Sequence, residues 1–108
     1  MKDILEIIGL DTLDEKEQIQ VRESVSAWLK KLETRTHARR VSKVKIHIKE
    51  YHERGNRTHS IKLDVILDSK RFEADSADWI LSSALRKAFS KISEEIEHKF
   101  HNKGHEKN

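Results

Sequence analysis

Lysine and arginine side chains are concentrated in the middle of the chain, and their chemistry is the binding of phosphate groups. Residues 30–62 carry eleven basic and three acidic side chains, a net charge of +8, whereas residues 1–29 sum to −4 and residues 63–108 to −1. A concentrated positive field on a small domain favours a polyanionic partner, most commonly nucleic acid. Maintenance of solubility is the competing interpretation of the same charges.

The basic residues that we expect to contact phosphates lie at the end of one predicted helix, in the connection after it, and on a second predicted helix. They are Lys30, Lys31, Arg35, Arg39, Arg40, Lys87 and Lys91. In a layer of two helices these groups could form one continuous strip on rigid elements. Such a strip suits recognition of the shape of structured RNA better than base readout in a DNA groove. Strand lysines on an open sheet face offer a second, competing strip.

Residue types that catalyse reactions or bind metals are present, but their spacing supports neither function. The chain has no cysteine, so it has no thiolate ligand or cysteine nucleophile. His98, His101 and His105 could share a helical face, yet a glycine interrupts that segment and no carboxylate converges on it. No serine lies in a Gly-x-Ser-x-Gly elbow, and Glu94 and Glu95 point in different directions. We predict no catalytic residue, no metal site and no cofactor, and we expect the protein not to be an enzyme.

The length and composition favour one domain. The chain has 108 residues, of which 35% are hydrophobic and 38% charged. We predict a single α+β domain over residues 1–100 and a polar C-terminal tail over residues 101–108. The chain contains no apolar run of membrane-spanning length and no secretory signal. We therefore expect a cytoplasmic protein with no membrane partner and no small-molecule substrate.

Apolar periodicity predicts the elements that must position the basic residues. Helical spacing indicates a helix over about residues 14–34 and a second over about residues 76–100. Period-two alternation predicts strands at 44–49 and 61–67, and a third short strand follows at 71–74. Gly55-Asn56 and Asp68-Ser69 mark the tight turns between them. Residues 4–8 fit either a short strand or a first helical turn.

Antiparallel strands joined by tight turns need a cover on one face, which two amphipathic helices can supply. The predicted fold is therefore a two-layer β-α-β-β-β-α sandwich, α+β in class, with a mainly antiparallel sheet and both helices on one face. The aromatic residues Trp28 and Trp79 are expected in the core, Tyr51 is expected to be exposed, and His47 and His59 are expected to face solvent. The predicted open face carries Lys43, Lys45, His47, Lys49, Lys62, Asp64, Ile66 and Arg71.

Three segments, residues 22–33 (RESVSAWLKKLE), 44–49 (VKIHIK) and 72–80 (FEADSADWI), together resemble one known family. That family is the ribosome hibernation promoting factors, also called ribosome-associated inhibitors or ribosomal subunit interface proteins. Residues 22–33 are similar to the family's first helix, and residues 44–49 to the strand that follows. Residues 72–80 (FEADSADWI) are similar to the last strand and the start of the last helix, with Trp79 where the family usually has tyrosine. The resemblance covers about residues 4–100, and the chain looks like a short-type member.

The resemblance implies a fold like that of a double-stranded-RNA-binding domain, with residues 4–8 as a strand. It also implies binding to the small ribosomal subunit where messenger RNA and tRNA would sit, and so inhibition of translation in idle ribosomes. Lys30, Lys31, Lys87 and Lys91 match basic helix positions that face ribosomal RNA in the family. Two alternatives remain open: an RNA-binding module with a non-ribosomal target, and a protein-interaction domain that uses its open sheet face or edge strand.

Overall fold

Two helices pack on one face of a four-stranded sheet in the computed structural model, which describes residues 5–36 and 41–105. The predicted α+β sandwich and its β-α-β-β-β-α order are confirmed. A single turn of 3-10 helix at Leu10–Thr12 connects the first strand to the first helix. The main elements are β1 (Leu5–Ile8), α1 (Glu15–Thr36), β2 (Val41–Glu53), β3 (Asn56–Leu67), β4 (Lys70–Asp78) and α2 (Leu81–His105).

The strands lie side by side in chain order, β1-β2-β3-β4. β1 runs parallel to β2, with Leu5 beside Val44, whereas β2, β3 and β4 pair in antiparallel fashion. A parallel pair needs a long crossover connection, and α1 supplies it. The sequence left open whether the segment near the start of the chain is a strand or a helical turn. Its pairing with β2 shows that residues 5–8 form a strand.

Both hairpin turns contain two residues with positive φ. Arg54 and Gly55 have φ of 49° and 82°, and Asp68 and Ser69 have φ of 55° and 68°. Positive φ at both central positions matches the right-handed twist of the flanking strands. The turn predicted at Asp68-Ser69 is confirmed. The one predicted at Gly55-Asn56 is wrong by one position, because Asn56 is already paired with Glu53.

The core lies between the sheet and the two helices. Alternate residues of β2 and β3 point into it. Four of them are fully buried: Val44, Ile46, Ile61 and Leu63. They meet the apolar stripes of the helices, as the sequence predicts, because both faces leave water only by packing on each other. The helix residues in the core include Val21, Val25, Trp28, Leu32, Leu85, Ala88, Ile92 and Ile96.

The junction between β4 and α2 differs from its prediction. β4 continues to Asp78, which pairs with His59, and α2 begins at Leu81 rather than near Ser76. The backbone N–H of Ile80 donates to Asp78 Oδ1 at 3.0 Å, and the helix starts with Ala84 N–H donating to the Ile80 carbonyl at 3.0 Å. Trp79 therefore lies at a corner outside both elements. It is 69% exposed, so its predicted place in the core is wrong.

The C-terminal end of α2 lies inside the segment predicted as a polar tail. The backbone of residues 101–105 continues the helix, through Gly104, and residues 106–108 lie outside the described part of the chain. Glycine lowers helix stability by only about 1 kcal/mol relative to alanine, so one glycine does not by itself end a helix.

Candidate nucleic-acid interface

The predicted site residues of α1 are exposed and lie on its outer side. Lys30 faces solvent, and Lys31 lines a groove between α1 and α2. Neither lysine forms an ion pair with a described residue. Arg39 and Arg40 lie outside the described residues, as does the side chain of Arg35. Two of the five predicted phosphate-binding residues at this end of the molecule are thus placed, and both are accessible.

The predicted site residues of α2 lie on the edge of that helix that faces β4. Lys87 Nζ forms an ion pair with Asp78 Oδ2 at 2.8 Å, and Lys91 Nζ donates to the Asp75 backbone carbonyl at 2.7 Å. Both partners belong to the outer strand β4, whereas the residues of α2 that face α1 include Phe89 and Ser93. Consecutive helix residues point about 100° apart, so these two edges lie on nearly opposite sides of α2.

The structure therefore does not join the lysines of the two helices into the predicted continuous strip. The basic residue of α2 that approaches α1 is Arg86, which lines the same groove as Lys31. Sequence reasoning missed Arg86, although it precedes Lys87 directly. The signal that could have found it is the stripe Ser82, Phe89 and Ser93, because Arg86 lies on that side of the helical wheel.

The groove between the helices has an apolar floor and charged sides. Trp28 and Phe89 lie at its base, where their rings stack. Lys31 and Arg86 supply positive charge, while Glu94 and Glu97 lie farther along α2 and supply negative charge. The groove is thus basic over only part of its length.

The open face of the sheet is the second basic surface, as the sequence predicts. Lys43, Lys49 and Lys62 are exposed on it, and Lys45 and His47 are half-buried. At the end of this face near the second hairpin turn, Arg71 donates two hydrogen bonds of 3.0 Å to Asp64 and also pairs with Glu73 at 2.9 Å. The hydrogen bonds from Arg71 lower the pKa of Asp64, so that this end of the face is a network of paired charges.

The opposite end of the open face carries two lysines, Lys49 and Lys62, that form no ion pair with a described carboxylate. His47, Lys49 and Lys62 line a shallow depression with Tyr51, which is 49% exposed, as the sequence predicts. Lys91 completes its edge, because its bond to the Asp75 carbonyl draws its ammonium group over β4. We call this feature the tyrosine depression.

A cluster of charged side chains lies beneath the first hairpin, on the side of the sheet that faces the helices. Arg57 donates to Glu17 of α1 at 2.8 Å and to Glu50 of β2 at 2.6 Å. The hydrogen bond from Arg57 is the main cause that lowers the pKa of Glu50. His52 Nε2 also lies 3.2 Å from Glu50 Oε2. The cluster ties the start of α1 to the hairpin that carries Tyr51.

His59 lies within this end of the molecule and contradicts its predicted exposure. It is 3% exposed, and neither ring nitrogen has a hydrogen-bond partner among the described residues. Its side chain points inward because it shares the parity of Ile61 and Leu63 along β3. Burial is the main cause that lowers the pKa of His59, and the positive charge of Arg57 lowers it further.

The described residues contain no group of three histidine, aspartate or glutamate side chains that could hold a metal ion. No helix in the described part of the chain is both long enough and apolar enough to cross a membrane. Comparison of the chain with models of known protein families and with curated proteins finds no match. The chemistry that the described surfaces can offer is the binding of anions by lysine and arginine, beside exposed aromatic rings.

Proposed function

We propose that this protein binds ribosomal RNA of the small ribosomal subunit and inhibits translation by occupying that surface. The observation that carries the proposal is the architecture, a β-α-β-β-β-α sandwich with β1 parallel to β2 and both helices on one face. This is the fold that the resemblance to ribosome hibernation factors implies. In this proposal the protein acts by binding alone and catalyses no reaction.

The helical side supplies the surface that we assign to ribosomal RNA. Lys30, Lys31 and Arg86 are exposed there and form no ion pair with described residues. Double-stranded RNA is recognised mainly through its shape and its phosphates, which requires cations held on rigid elements. Lys87 and Lys91, by contrast, hold bonds to β4 that they would have to share with or give up to phosphate. We therefore expect Lys30, Lys31 and Arg86 to contribute more than Lys87 and Lys91.

Co-sedimentation with purified small ribosomal subunits tests this proposal. The test variant combines Lys30→Glu, Lys31→Glu and Arg86→Glu, and the matched control combines Lys16→Glu, Lys70→Glu and Lys99→Glu. All six positions are exposed, and both variants change the net charge equally. Wild type and the control are expected to pellet with subunits at low salt, whereas the test variant is expected to remain in the supernatant.

Three outcomes would contradict parts of this proposal. If wild-type protein does not pellet with small subunits at low salt, the ribosomal target is wrong. If it binds unrelated structured RNA equally well, the protein is an RNA-binding module without a ribosomal target. If the test variant pellets normally while a Lys43→Glu, Lys45→Glu, Lys49→Glu variant does not, the open sheet face is the ribosomal surface.

A further inference from the structure

The tyrosine depression combines three ammonium groups that are far apart in the sequence. Lys49 of β2 and Lys62 of β3 stand on the open face in adjacent cross-strand rows, since His47 pairs with Lys62 and Lys49 pairs with Ser60. Lys91 arrives from α2, and its 2.7 Å bond to the Asp75 carbonyl fixes it at the edge of β4. These lysines thus come from three different elements and line one depression.

The charge of the tyrosine depression is positive. Among the residues that line it, Asp75 is the one carboxylate, against the three lysines. Neither Lys49 nor Lys62 forms an ion pair with a described carboxylate. The Arg71 end of the same face is different, because Asp64 and Glu73 there pair with Arg71. The unpaired positive charge of the open face is therefore greatest beside Tyr51.

The ring of Tyr51 is accessible because its neighbours across the strand pair are small. Thr58 lies directly opposite Tyr51, and Ser60 lies opposite Lys49. Side chains at i and i+2 of a strand stand about 7 Å apart, so Lys49 is one such step from the ring. Almost half of the tyrosine surface is exposed. The depression thus presents a flat aromatic ring beside cations.

We propose that the tyrosine depression binds an unpaired stretch of RNA, with a base stacked on Tyr51 and the neighbouring phosphates held by Lys49, Lys62 and Lys91. An aromatic platform beside a positive groove is the combination that binds single strands, because every base has a face that can stack. The bases of a duplex are already stacked on each other, so a duplex offers Tyr51 nothing equivalent. This site shares only Lys91 with the helical surface assigned to ribosomal RNA, and it does not depend on the ribosomal target.

Fluorescence anisotropy with a labelled twelve-nucleotide oligouridine tests this inference. Loss of one stacked base is worth about 5- to 150-fold in affinity, so Tyr51→Ala should weaken binding by that factor, and Tyr51→Phe should restore most of it. Ile19→Ala is the control, because Ile19 is as exposed as Tyr51 but belongs to α1 and does not line the depression. It should bind the oligonucleotide as wild type does.

Salt dependence tests the phosphate contacts separately. On single strands each neutralised phosphate adds about 0.7 to the slope of log affinity against log salt, so a Lys49→Gln, Lys62→Gln variant should show a slope shallower by about 1.4. The control pair, Lys16→Gln with Lys99→Gln, should leave the slope unchanged. An unlabelled duplex RNA of twelve base pairs should compete poorly with the labelled strand.

The inference is overturned if wild type does not bind oligouridine at low salt, if Tyr51→Ala binds as tightly as wild type, or if the duplex competes as well as a single strand. The first result would favour a protein partner for this face. Subunit binding distinguishes the two proposals. A protein that pellets with small subunits but ignores oligouridine refutes only the tyrosine-depression site, and the reverse result refutes only the ribosomal target.

Discussion

The indole ring of Trp28 stacks on the phenyl ring of Phe89, with ring centroids 4.8 Å apart and planes 7° from parallel. Trp28 Nε1 also donates to Ser93 Oγ at 3.2 Å, so one side chain of α1 holds two residues of α2. Stacked aromatic pairs contribute about 0.5–1.5 kcal/mol beyond the burial of their surface. This contact fixes the two helices side by side and defines the floor of the groove that carries Lys31 and Arg86.

Replacement of Trp28 by alanine should lower the free energy of unfolding by about 3–5 kcal/mol, because a large buried ring is lost and a cavity remains. Trp79→Ala is the control, since Trp79 is 69% exposed and exposed substitutions usually change stability by about 0.5 kcal/mol or less. Urea denaturation followed by circular dichroism measures both. An equal loss of stability in the two variants would contradict the packing described for these residues.

Gly9→Ala should destabilise the fold far more than Gly55→Ala. Both glycines have positive φ, 91° and 82°, so alanine is strained at either position. At Gly9, however, a Cβ would overlap the Ile48 carbonyl oxygen, whereas at Gly55 no atom lies within 4 Å. Backbone strain alone costs about 1–3 kcal/mol, which is the loss expected for Gly55→Ala. Thermal melts of the two variants measure the difference, and similar melting temperatures would contradict the close approach of β1 and β2.

Folding stability should decrease when the pH falls from about 7.5 to 5.5, because of His59. Its folded pKa is lowered, chiefly by burial, so below the ordinary histidine pKa of about 6.5 the unfolded chain binds a proton that the folded protein does not. The free energy of unfolding therefore decreases as the pH falls from about 6.5 toward the pKa of His59 in the folded protein, by at most about 1.4 kcal/mol per pH unit. The positive charge of Arg57 also lowers the pKa of His59, whereas the carboxylates Glu17, Glu50 and Asp78 raise it.

Urea denaturation at several pH values measures this dependence. His59→Leu should remove most of the slope and keep the fold at pH 7.5, since both nitrogens of His59 lack hydrogen-bond partners among the described residues and leucine demands none. His98→Gln, at an exposed position of α2, is the control and should retain the slope. A slope that persists in His59→Leu would assign the pH dependence to other groups.

Subunit binding should weaken linearly in a plot of log affinity against log salt, because each bound phosphate releases a counterion. Removal of the charges of Lys30, Lys31 and Arg86 by glutamine should make that line shallower by about 2 to 3 units, at about 0.7–0.9 per contact. Filter binding of labelled small subunits at four salt concentrations measures the slope. An unchanged slope would show that these three side chains do not contact phosphate.

The sequence by itself determined most of the fold. Alternating apolar residues in β2 and β3, and the helical spacing of Val21, Val25 and Leu32, predict both layers and the side of each element that is buried. These predictions succeed because the period of the apolar residues follows directly from the local backbone geometry. The periodicity was ambiguous only for β1, where four residues are too few to distinguish a strand from a helical turn.

The tertiary structure alone decided the composition of the candidate sites. The apolar pattern of α2 predicts that Lys87 and Lys91 are exposed. Only the packing of α2 against α1 and the sheet determines that they lie on the edge of the helix that faces β4. His59 shares the inward parity of Ile61 and Leu63, so the strand pattern could have predicted its burial. Trp79 is exposed because α2 begins only at Leu81, a boundary that local periodicity does not encode. Lys49, Lys62 and Lys91 meet beside Tyr51 only when the layers pack. Their proximity depends on the pairing register of β2 with β3 and on the side chain of Lys91, which reaches from α2 to β4. Both features rest on contacts between residues distant in the sequence, which form only when the layers pack.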